Sequence, residues 1–129
     1  MIINLDLQSD VPIYLQLRNK IIEGIASKEL VAGEPLPSVR MMAADLGVNM
    51  HTINKAYQLL KQDGFILIHR QKGVVVNPDG MPEVTNEYRQ SLKDALRPII
   101  GEAIARGMSA KDFQVVCAEI FSQITREVD

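Results

Sequence analysis

The chain has 129 residues, of which 47% are hydrophobic and 23% charged, with a formal net charge of −2. That composition excludes a disordered polypeptide, and the length holds one ordinary domain plus an appendage. No apolar run approaches the roughly 20 residues that span a bilayer, the N-terminus lacks a basic segment leading into an apolar core, and the single Cys117 cannot form an intrachain disulfide. A cytoplasmic protein with no membrane partner is expected.

The charge is unevenly distributed. Residues 1–76 carry eight Lys/Arg against seven Asp/Glu, whereas 77–129 carry six against nine. Between 38 and 73, Arg40, Lys55, Lys61, Arg70 and Lys72 stand against Asp45 and Asp63 alone. A basic patch thus sits inside a weakly acidic chain, beside an acidic C-terminal half ill suited to nucleic acid.

Ile3, Leu5 and Leu7 alternate with polar residues, which predicts a short extended piece. Pro12 suits the first turn of a helix over about 12–28, with Tyr14, Leu17, Ile21, Ile22 and Ile25 on its apolar face. Gly33, Pro35 and Pro37 then break the chain. Ser38 is placed to cap a second helix whose apolar positions are Val39, Met42, Ala43 and Leu46, and Gly47 can stop it in a left-handed conformation. Val48 is expected to plug the core at the turn.

Asn49 should cap a third helix, with Ile53, Ala56, Tyr57 and Leu60 inward and Met50, His51, Thr52, Asn54, Lys55 and Gln58 left for exposed faces, until Gly64 ends it. Two β-prone runs, 65–68 and 74–77, flank His69-Arg70-Gln71-Lys72-Gly73, predicting a hairpin with a basic tip. The turn-rich 78–82 marks a boundary. Beyond it, 84–106 reads as a helix with Tyr88, Leu92, Leu96, Ile99, Ala103 and Ile104 along one side and a kink at Pro98. Gly107 closes it. Ser109, with Asp112 three residues on, opens a fifth helix striped by Phe113, Val116, Cys117, Ile120, Phe121 and Ile124, which makes Cys117 an expected inert, buried thiol.

Two short helices joined by a tight turn, the second starting at a capping Asn and carrying polar groups outward, describe a helix-turn-helix. Asn49, His51 and Thr52 lie at a helix N-terminus, where backbone N–H groups and the dipole favour a phosphate. Lys55, one turn beyond His51, reaches for the DNA backbone or a guanine edge. Asp45 stands five residues after Arg40, a spacing poor for helical pairing. His51 and His69 have no third ligand or carboxylate cluster beside them, so no metal is expected. No nucleophile set or phosphate-cradling glycine loop suggests an enzyme or a cofactor.

Leu36-Pro37-Ser38-Val39-Arg40, the run Ala43-Ala44-Asp45-Leu46-Gly47-Val48-Asn49, Thr52-Ile53-Asn54-Lys55-Ala56-Tyr57, and Asp63-Gly64-Phe65-Ile66 before a hairpin resemble the GntR family of bacterial transcription regulators over about residues 10–77. Pro12-Ile13-Tyr14 with Gln16, together with a tail of only two helices, is similar to its YtrA subfamily. The resemblance implies that Arg40 contacts a phosphate or base edge and that the start of the third helix enters the major groove. Two departures matter: Met50 and His51 stand where the family often has Arg or Pro and Asn, Asp or Thr, and Gln71-Lys72-Gly73-Val74-Val75 replaces its Gly-x-Gly-Thr-aromatic wing.

The expected architecture is therefore mainly α with a small β-hairpin: a winged helix-turn-helix over 1–77 and a two-helix dimerisation segment over 82–129. Candidate DNA-binding residues are Ser38, Arg40, Asn49, Met50, His51, Thr52, Asn54, Lys55, Arg70, Lys72 and Gly73. Candidate dimer residues are Tyr88, Leu92, Leu96, Ile99, Phe113, Val116, Ile120, Phe121 and Ile124, since exposed apolar faces on a terminal hairpin mark a partner surface. The expected partners are double-stranded operator DNA and a second copy, with an unidentified small-molecule effector left open. A repressor of its own or a neighbouring transporter operon is the expected role, and a winged-helix protein-interaction module that binds no DNA is the alternative.

Overall fold

In the computed structural model, which describes residues 3–125, the core is built around one helix, α3 (Met50–Gln62). Its four inward residues, Ile53, Ala56, Tyr57 and Leu60, are wholly shielded from solvent. Helices α1 (Ile13–Ala26) and α2 (Val39–Leu46) and strand β1 (Ile66–His69) all pack against it. Leu17 and Ile21 of α1, Met42 and Ala43 of α2, and Leu30, Leu36, Ile66, Val74 and Val76 complete the buried cluster.

Local chemistry sets the helix ends. The Ser38 hydroxyl accepts from the Met41 N–H at 3.1 Å and the Asn49 side-chain oxygen from the His51 N–H at 2.7 Å, so both caps stand where the sequence places them. Gly47 takes φ 68° and lets the Val48 N–H return to the Ala43 carbonyl at 3.1 Å, which leaves Val48 half-buried at the turn. Helix α1 ends two residues earlier than expected. Lys28, without a glycine's freedom, takes φ 68° and turns the chain so that the Leu30 N–H bonds the Gly24 carbonyl at 2.9 Å.

Among the described residues, 3–10 form no strand. Ile3 and Leu5 lie partly buried against the core, but Leu7 sits in a turn and is 70% exposed. Gln16 fastens this segment: its side chain accepts from the Asp6 N–H and donates to the carbonyls of Asp6 and Val11, at 2.8–2.9 Å. Hydrogen bonds to one glutamine, not sheet pairing, hold this segment.

Strands β1 and β2 (Gly73–Val76) pair antiparallel, with Ile66 opposite Val76 and His69 opposite Gly73. Gly73 closes the three-residue tip at φ 74°, in the left-handed region that such a loop requires. The far edge of β2 is covered by the stretch from Gly33 to Leu36. Gly33 N–H bonds the Val76 carbonyl, Val76 N–H the Glu34 carbonyl and Leu36 N–H the Val74 carbonyl, each at 2.8 Å. Pro35 bridges Val75 there, an edge position that tolerates the missing donor. Val74, Val75 and Val76 are all buried, so β2 does not alternate between buried and exposed positions.

A second compact unit begins after Pro82. Thr85 accepts from the Tyr88 N–H at 3.0 Å and caps α4 (Asn86–Ala105), which passes through Pro98. Gly107 at φ 93° ends the helix, and Ser109 accepts from the Asp112 N–H at 3.1 Å to start α5 (Ala110–Thr125). The expected hairpin is corrected here. Among the described residues α4 and α5 do not lie along one another; they enclose only a small hollow near their junction, lined by Ile100, Ala103, Ile104, Met108 and Phe113 among others. No residue of either helix is buried within the chain, and Cys117, expected to be buried, is only half-shielded.

Candidate nucleic-acid interface

With Ile53, Ala56, Tyr57 and Leu60 turned inward, the 100° step of a helix leaves Met50, His51, Asn54, Lys55 and Gln58 outward, and all five are exposed. Thr52, beside Ile53, is half-shielded. The start of α3 thus presents imidazole, amide and ammonium groups, with the 46%-exposed thioether of Met50 at its tip, while the N–H groups of His51, Thr52 and Ile53 bond back to Asn49. Hydrogen-bonding groups at a helix N-terminus fit both phosphate oxygens and base edges, while an apolar tip suits a thymine methyl.

The candidate residues divide by what their side chains already do. Ser38 and Asn49 spend an oxygen on their caps, so each holds a helix end in place, with the Asn49 amide nitrogen still available as a donor. Arg40, in the first turn of α2, is exposed and forms no ion pair among the described residues; Asp45 is not its partner. Arg70 and Lys72 are exposed on the hairpin tip, and Gly73 supplies the backbone turn that carries them. Asp63 is paired with Arg18 at 3.5 Å, which joins the end of α3 to α1 and occupies one of the two acids in the basic stretch. The remaining cations are left largely uncompensated.

Two features of the site are not visible in the candidate list. The Lys55 ammonium lies 4.0 Å from the ring centroid of Tyr14 on α1, a cation–π contact that fixes where the charge rests. The Tyr57 hydroxyl donates to the Pro37 carbonyl at 2.7 Å, tying α3 to the segment before α2. Burial pushes the Tyr57 phenol well above its ordinary range and keeps it a proton donor. The only sequence signal for either is an aromatic residue with a polar tip on an otherwise aliphatic face.

The expected dimer residues lie on the second unit. Tyr88, Leu92, Ile99, Val116, Ile120 and Phe121 are exposed, between 40% and 72%, and Leu96, Phe113 and Ile124 are half-shielded. Among the described residues no helix is long and apolar enough to cross a membrane.

The profile of the bacterial regulatory proteins of the gntR family matches residues 13–76, the span from the start of α1 to the end of β2. The chain is 35% identical over 81% of its length to the uncharacterized HTH-type transcriptional regulator YhcF of Bacillus subtilis, covering 86% of that protein. It is 26% identical to the HTH-type transcriptional repressor YtrA of the same organism, over 95% of this chain and 94% of the other. Among solved structures, YtrA from Sulfolobus acidocaldarius, a GntR-family transcription factor, is 45% identical with a TM-score of 0.62, over 81% of this chain and 99% of that one. The helix-turn-helix, its hairpin wing and the two further helices therefore place the chain in the GntR family of transcription regulators, within the YtrA group.

Proposed function

We propose that the protein is a cytoplasmic, homodimeric repressor that occupies an inverted-repeat operator controlling its own or a neighbouring transporter operon. The observation that carries this reading is the outward face of α3, where His51, Asn54 and Lys55 stand clear of the core, together with an exposed Arg40 that has no ion-pair partner among the described residues. Arg40, Lys55, Arg70 and Lys72 supply phosphate attraction and counterion release, and Met50, His51, Thr52 and Asn54 bias the choice of bases. Steric occupancy of the promoter is then sufficient for repression.

The second unit supports the dimer. Two helices without one buried residue forfeit the burial that stabilises amphipathic helices in water, and a second copy restores it. Because α4 and α5 diverge, the copies would interleave their helices rather than meet through one flat face each. Two-fold symmetry then matches half-sites separated by about one helical turn or slightly more.

A gel shift of the purified chain on DNA upstream of its own gene, at two salt concentrations, tests the reading. A specific shift that weakens with salt is expected. No specific shift at either salt would favour the interaction module and sink the repressor.

A further inference from the structure

We infer that Tyr57 is a positioning residue for DNA recognition: its hydroxyl, donated to the Pro37 carbonyl, holds Arg40 in register with the recognition helix. The inference rests on the proposed contact of Arg40 with DNA. Its basis is the convergence of three elements on one carbonyl. Residues 33–36 hang from the outer edge of β2 through hydrogen bonds at Gly33, Glu34 and Leu36. Ser38, directly after Pro37, caps α2, and Arg40 follows in the first turn. Pro37 is the joint between these two anchored pieces. It has no N–H to donate, and its carbonyl's hydrogen-bond partner is the Tyr57 hydroxyl of α3, 2.7 Å away.

The other fully buried residues on this face of α3 are Ile53, Ala56 and Leu60, none with a polar atom in its side chain. Packing alone asks only for a phenyl ring at position 57, and a buried phenol without a partner is unfavourable. The hydroxyl is therefore explained by what it holds. With the bond in place, the cap of α2 and the recognition helix move as one body. Without it, the loop can hinge at Pro37, and the displacement is carried outward along the long Arg40 side chain.

The test measures operator affinity and its salt dependence for the full chain bearing Tyr57→Phe, Arg40→Ala or both. Tyr57→Phe is expected to remain folded, to bind operator roughly tenfold more weakly, and to lower the salt slope by about 0.9, the signature of one lost phosphate contact. The double variant should be no weaker than Arg40→Ala alone, because both changes disable the same contact. 4-Aminophenylalanine in place of Tyr57 restores a donor and should restore both affinity and slope. Leu60→Val lowers the melting temperature by ordinary packing loss and should move neither.

Unchanged affinity and slope in Tyr57→Phe, losses that multiply in the double variant, or a folded 4-aminophenylalanine protein that stays weak would each overturn the inference. If Arg40→Ala itself leaves affinity and slope unchanged, the assignment of Arg40 falls together with the role given to Tyr57. A silent Tyr57→Phe beside a damaging Arg40→Ala overturns the positioning role alone.

Discussion

Lys55→Ala separates two tasks that one side chain performs. In the free protein the ammonium lies 4.0 Å from the Tyr14 ring centroid at an exposed position, a contact worth about 0.5–1 kcal/mol of stability. For a unit of this size that loss lowers the melting temperature by roughly 2–8 °C. On DNA the same charge neutralises one phosphate, so its removal reduces the salt slope by about 0.9 and the variant loses about 3.5-fold less affinity than the parent between about 50 and about 200 mM salt. Thermal melting reads the first effect, and fluorescence anisotropy across a salt series on both operator and unrelated duplexes reads the second. Specific and non-specific binding should weaken together. A variant that melts earlier but keeps the parental slope on both duplexes would show that the ring contact is the whole role of Lys55 and would refute its placement on a phosphate. Tyr14→Leu, combined with Lys55→Ala in a double-mutant cycle, isolates the ring contribution.

Three further outcomes follow from the same geometry. Phe121→Asp places a charge on a residue that is 72% exposed in the single chain; sedimentation should show monomers and operator affinity should collapse, whereas a variant that stays dimeric removes Phe121 from the interface. Asn49→Ala removes the cap of α3 and should cost about 1 kcal/mol of stability, with a larger loss of operator binding because the reading end of the helix frays; unchanged melting would contradict the cap as a stabilising bond. Alkaline pH should unfold the protein through Tyr57. Its folded-state pKa is raised by burial, so the neutral phenol favours the fold, and that stability is fully present below the unfolded value of about 10 and is lost as pH rises above it. Tyr57→Phe should flatten this limb of the stability profile, and identical alkaline limbs would count against it.

Much of the fold is readable from the sequence because its signals are local. Ser38, Asn49 and Ser109 each bond an N–H two or three residues away, so the residue type and its place before an apolar repeat are sufficient to identify them. The inward stripe of α3 follows from helical periodicity alone. The outward faces of α3 and the hairpin tip were legible for the same reason, as what periodicity leaves over.

What escapes the sequence depends on partners distant along the chain. Nothing local marks 33–36 as the covering edge of β2, because its glycine and prolines signal a break and the pairing partner lies beyond α3. The Tyr57 hydroxyl meets a carbonyl 20 residues earlier, and Tyr14 meets Lys55 across two helices. The same holds for α4 and α5: amphipathicity shows that each needs a partner, but not that the two helices fail to supply it to one another. Leu7 illustrates the converse error. Alternation over a few residues predicted an extended piece, and the tertiary hydrogen bonds of Gln16 decided otherwise.

Hydroxyl-radical footprinting of the purified protein on the DNA upstream of its own gene tests the central claim most directly. Two protected half-sites related by a two-fold axis, centred about one helical turn apart or slightly more, are expected for paired recognition helices. A single unpaired patch, or protection that does not depend on sequence, would contradict a dimer that reads an inverted repeat through α3.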